Sequence, residues 1–165
     1  MKKFNWIKLI IGLSVLGNLI LAFFLNYKNE IGKQTLEQIV FRGIQSNLVQ
    51  LEGSITYQIN NGWADPSHVT EKLDDVMDGI GLAFEIGNRS GALNKEKEKL
   101  LWELHAYLIV FKADSGFPNV VMNDKERDDF IKLGKNLRAS GWGMYIGYGS
   151  GWQDFEQKAR KLIMK

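Results

Sequence analysis

Leu9 to Leu25 reads LIIGLSVLGNLILAFFL, seventeen residues without a charge and with only Ser14 and Asn18 as polar interruptions. A bilayer core about 30 Å thick takes roughly 20 apolar helical residues at about 1.5 Å each. Phe4, Trp6 and Ile7 extend the run to that length, because the one intervening charge, Lys8, can reach the headgroups along its aliphatic stem. The stretch predicts a transmembrane anchor over 6–26, after a short basic N-terminus (1–5) and before one domain over 27–165. A cleaved secretory signal is the rival reading, since Met1-Lys2-Lys3 ahead of an apolar run suits both. Against it, the run exceeds the usual signal core of about 7 to 15 residues, and the exit Leu25-Asn26-Tyr27-Lys28 lacks a small-residue cleavage site. The expectation is an uncleaved, single-pass signal anchor.

Lys2, Lys3 and Lys8 outweigh Lys28 and Lys33 across the span, so the positive-inside rule places the N-terminus in the cytoplasm and the C-terminal domain outside it, at the cell membrane. Trp6 and Tyr27 stand at the two boundaries, where amphipathic rings favour the headgroup layer. The same three lysines explain the formal charge of +2: residues 26–165 hold the remaining 18 of 21 basic residues against all 19 acidic ones. A domain of that balance has no clustered basic face for nucleic acid. Without cysteine it has no disulfide, thiolate nucleophile or thiolate zinc site. The Lys-rich start and the abundance of Lys, Ile and Asn have a bacterial character.

Beyond the span the pattern is helical throughout. Leu36, Ile39, Val40, Ile44, Leu48, Leu51, Ile55 and Ile59 recur at steps of three and four, the mark of an amphipathic helix or a short coiled-coil seam. No proline interrupts before Pro66, so one helix can rise from the bilayer to about Gln58 and end at Asn60-Asn61-Gly62. Asp65 and Pro66 open a second helix with an apolar stripe from Val69 to Phe84 and, beside it, Gly79, Ala83, Gly87 and Gly91 at steps of four. That line either admits a neighbouring backbone or contains only a C-terminal cap at Gly91. A third helix starts near Asn94 and stops at Ser115-Gly116-Phe117-Pro118; Val120 to Met122 tucks back as a loop; Asn123 or Asp124 caps a fourth. Ser150 and Gln153 fit a capping box for a last helix. The fold class expected is all-α: a transmembrane helix continuing into, or followed by, a bundle of about four to five helices.

No stretch carries recognisable catalytic chemistry. Asp74-Asp75-Val76-Met77-Asp78 matches the D-D-x-x-D carboxylate turn of isoprenoid synthases, but the facing acidic motif and the large helical barrel it serves are missing, so a solvated acidic face is expected. Asp124, Glu126 and Asp128 resemble the start of a calcium loop that lacks its glycine and its final glutamate. His68 and His105 have no zinc-like spacing to a further ligand, Glu85 is expected to point outward, and Gly147 to Gly151 lacks a phosphate-loop lysine. No enzyme, cofactor or metal is expected.

Ser140 to Trp152, SGWGMYIGYGSGW, packs five glycines and four Trp or Tyr residues into thirteen positions. Exposed, Trp142, Tyr145, Tyr148 and Trp152 could stack on a cell-wall glycan, a small ligand or a partner; buried, they would cap the open end of the bundle. Two functions are therefore expected: a membrane-anchored interaction protein (scaffold, modulator or sensor accessory) with a protein partner or self-association through the Leu36 to Ile59 helix, or a glycan binder using those four rings.

Overall fold

The computed structural model describes residues 6–111, 120–145, 147, 149 and 151–165. The described residues are all-helical and contain five helices and no strand. Helix α1 runs unbroken from Trp6 to Asn60, 55 residues and about 80 Å long. Helices α2 (Ser67–Ser90), α3 (Lys95–Ile109), α4 (Asp124–Ser140) and α5 (Trp152–Ile163) pack around its upper part.

Every described side chain from Trp6 to Ile31 is exposed; burial starts at Gly32 and then follows the predicted seam. The seam is covered by the chain's own helices: Leu36, Val40, Ile44, Leu48, Leu51 and Ile55 are all core residues. Only Ile59 at its end is exposed. An external partner is left with the outward face of this helix, not with the stripe itself.

The spacing of that stripe has a consequence for the backbone. From Leu36 to Leu48 the buried apolar residues advance by four each time, and three such steps drift by about 120° on a helix of 3.6 residues per turn. Val40–Gln45 is π-helical, a wider turn that takes up the lag and keeps Leu36, Ile44 and Leu48 on one side.

Helix α2 returns antiparallel along α1. The crossings pair Asn47 with Asp75, Gly43 with Gly79 and Gly32 with Ser90, one index falling as the other rises. A Cβ on Gly79 would lie 2.2 Å from the Gly43 carbonyl oxygen, so the small-residue line does admit a neighbouring backbone at this point. Gly91, at φ +71°, is also the predicted C-terminal cap of α2. The cap at Gly91 is therefore real but is not the whole of the line, since Gly79 admits the neighbouring backbone.

The helix starts are set locally. Asp65 Oδ1 accepts from the Ser67 amide at 3.3 Å, Asn94 Oδ1 from Lys97 at 2.9 Å, and Asn123 and Glu126 form a reciprocal capping box ahead of α4. Helix α5 has Gly151 at its N-cap without a side-chain cap bond. Ser150, half of the capping box expected there, lies outside the described residues, as does the predicted stop at 115–118. Val120 and Met122 tuck into the core while Val121 stays exposed, as expected of the loop.

Candidate functional site

The aromatic-glycine segment folds back on the π-helical turn of α1. Trp142 is 0 % exposed, its ring tilted 6.3 Å from that of Phe155. Its indole N–H donates to Gln45 Oε1 at 3.2 Å, and Gln45 Nε2 donates to the Gly149 carbonyl at 3.0 Å. Trp152 is nearly buried, edge-on to Phe155 at 5.2 Å, and its indole N–H donates to Glu156 Oε2 at 3.1 Å. That bond and above all the Arg160 guanidinium hold the Glu156 carboxyl below the usual carboxylate range against a desolvation that raises it. Tyr145, by contrast, is 98 % exposed, and Tyr148 lies outside the described residues. The three described rings named from sequence therefore do not form one surface: both tryptophans are packed into the bundle against Phe155 and Tyr145 stands outside it.

A second polar cluster fixes the same segment. Glu52, on the buried side of α1, accepts from Arg138 Nε at 2.9 Å, Thr56 Oγ1 at 3.0 Å and the Met144 amide at 2.9 Å. Three donors of different origin satisfy a carboxylate that burial would otherwise penalise heavily. Sequence reasoning passed over Gln45 and Glu52 although the signal was there: Glu52 is four residues after Leu48 and three before Ile55, on the apolar spacing itself.

Above this cluster Met144, Tyr57 and Tyr145 share an exposed surface. Met144 lies over Gly53, where a Cβ would come within 2.4 Å of its Cε, and its own side chain stays half exposed between Tyr57 and Tyr145. Shallow cavities of about 320 and 280 Å³ flank it, the first reaching His68 and Lys72, the second Arg138 and Asn60. Tyr, Met and Arg around a small apolar centre is the composition in which protein interfaces are enriched.

The remaining sequence candidates are dispersed. Asp75 accepts from Lys72 at 2.7 Å and Asp78 is exposed; no group of three His, Cys, Asp or Glu placed to hold a metal occurs among the described residues. His68 sits exposed between Asp65 and Glu71, His105 packs edge-on to Trp102 at 5.7 Å, and Glu85 pairs outward with Arg89 at 3.1 Å. No protein-family model matches the chain, and no curated protein or solved structure matches it.

Proposed function

We propose that the chain is a single-pass membrane protein whose helical domain works by protein contact, with the N-terminus in the cytoplasm and the bundle outside it. The observation that carries this reading is the change of surroundings along one unbroken helix: α1 is long and apolar enough to cross a membrane, bare on every side up to Ile31, and the core spine of a bundle from Leu36 onward. A helix apolar all round needs lipid or protein cover, and among the described residues none covers this section. Orientation is supported by Lys2, Lys3 and Lys8. Contact is assigned to Tyr57, Met144 and Tyr145 at the membrane-distal end, where exposed rings stand on an anchored frame. The glycan reading retains Tyr145 alone as an exposed ring among its described residues, too little for a stacking platform.

The test uses the full chain in cell membranes. Alkaline carbonate is expected to leave it in the membrane fraction, and external protease is expected to reach the bundle. A photo-cross-linker at Tyr145 should give a discrete adduct that Tyr57→Ala with Met144→Ala abolishes. Release by carbonate would defeat the span, and no adduct, or one indifferent to those substitutions, would defeat the contact surface.

A further inference from the structure

Where α1 leaves its bare section, a recess of about 590 Å³ opens between it and the turn joining α2 to α3. Asn26, Asn29, Glu30 and Lys33 form the α1 wall; Gly91, Asn94 and Lys97 are on the opposite wall. With the hydrocarbon edge at Leu25, the α1 wall rises from about 1.5 to about 12 Å above it. A headgroup layer is about 5 to 7 Å deep on each side, so the floor of the recess lies within that layer.

The chemistry of the recess suits an anionic amphiphile. Lys97 is held at the wall with its ammonium 4.7 Å above the Trp152 ring, and Lys33 pairs with exposed Glu30 at 3.4 Å. The amino end of α3, with the positive end of its dipole, belongs to the same wall. Charge is distributed to match: stretches 26–33 and 85–97 carry five bases (Lys28, Lys33, Arg89, Lys95, Lys97) against three acids (Glu30, Glu85, Glu96), in a domain whose total over 26–165 is one acid in excess. Below the recess the helix continues as apolar surface. Ala22 and Leu19 each fall within about 30° of the centre of the wall formed by Asn26, Asn29, Glu30 and Lys33, so they lie beneath it on the same side of α1.

We propose that this recess binds the phosphodiester headgroup of an anionic phospholipid, with Lys33 and Lys97 as its cations, the Asn26 and Asn29 amides as donors, and an acyl chain descending past Ala22 and Leu19. The proposal rests on the spanning reading of α1.

The experiment reconstitutes the full chain in phosphatidylcholine bilayers containing a trace of spin-labelled phosphatidylglycerol or spin-labelled phosphatidylcholine. Electron spin resonance then gives the motionally restricted fraction of each. Phosphatidylglycerol is expected to associate at least about fivefold more strongly, the scale of one lysine at an anionic surface. Lys33→Gln with Lys97→Gln should bring the two labels close to parity. Lys28→Gln with Lys95→Gln, which removes the same charge from the rim outside the recess, should leave most of the preference. Equal association in the unaltered protein, or equal losses in the two double variants, would overturn the site. Displacement by millimolar soluble glycerol phosphate would assign the recess to free phosphate and overturn the lipid. Carbonate release from the same vesicles is a separate readout, and it alone would bring down the spanning reading beneath the proposal.

Discussion

The two halves of α1 share one backbone and live in different surroundings. Below Gly32 the helix exposes Leu13, Leu16, Leu19, Phe23 and Phe24, each more than half accessible, and its polar residues Ser14 and Asn18 are equally bare. Above Gly32 the apolar residues gather on one largely buried stripe, with Tyr57 and Ile59 exposed near its end, and the polar residues on its buried side, Gln45, Glu52 and Gln58, are hydrogen-bonded to other segments. A helix satisfies its own backbone in either medium, so the difference lies wholly in the side-chain pattern. An all-round apolar helix requires apolar cover on every side, whereas a one-sided stripe requires partners of matching shape on one. Substitutions should therefore be felt sharply in the upper half and weakly in the lower half.

The largest effect is expected at Trp142. Its ring fills the space between the π-helical turn and Phe155, and Trp142→Ala leaves a cavity there, at a cost of about 3 to 5 kcal/mol. In detergent micelles the loss should appear as a lower melting midpoint by circular dichroism, while the helical signal of residues 6–31 survives above it. Trp142→Phe keeps most of the volume but strips the buried Gln45 oxygen of its donor, for about 1 to 3 kcal/mol. An unaltered melt in both variants would mean that the segment is not clamped on α1.

That expectation shows where the sequence was legible. The long apolar helix, the seam, the cap at Asn94 and the Asp65-Pro66 start were all readable, because each is a local rule: apolar composition or periodicity, or an acceptor placed against free amides. The π-helical turn was implicit in the repeated steps of four from Leu36 to Leu48, but steps of three and four taken together suggest an ordinary helix. The fate of Trp142 was not readable, since exposure depends on whether a distant residue, Gln45, can accept its N–H across 97 positions of chain. The same holds for Trp63, held at φ +59° in the turn after α1, a conformation unusual for a bulky side chain, with its ring 6.5 Å from that of Phe130. The position of Met144 was hidden for a similar reason: it covers Gly53 in a segment whose amide donates to Glu52, 92 positions away.

The glycines give the next largest effect and the most direct comparison between halves. Gly79→Ala drives a methyl into the Gly43 carbonyl, a backbone atom that cannot rotate away, and should cost about 1 to 3 kcal/mol. Gly12→Ala and Gly17→Ala meet nothing within 4 Å and relieve the helix of an unfavourable glycine, so neither should lower the melting midpoint. Gly43→Ala separates two explanations of the upper result. Its Cβ would stand 3.4 Å from Gly79 Cα, an ordinary contact, so a large loss there as well would point to helix geometry instead of the one-sided approach of Gly79.

The smallest effect concerns pH, and it too belongs to the bundle. Glu156 is held by Arg160 at 2.8 Å and by the Trp152 indole N–H, and both favour its charged form, so its folded pKa lies below the ordinary value of 4.5. A carboxylate depressed in this way contributes stability that is fully present above the unfolded value and is lost as pH falls through the folded one. The pair is partly exposed and screened by solvent, which limits the contribution to under about 0.5 kcal/mol. Glu156→Gln should accordingly lower the melting midpoint slightly at pH 7, with the difference from the unaltered protein closing below about pH 4.5 and shrinking in salt. From Ile10 to Leu25 the helix has no titratable side chain, so substitutions there should give differences that do not vary with pH. A Glu156→Gln difference of constant size from pH 7 to pH 3 would show that the side chain acts by packing against Trp152 and not by its charge.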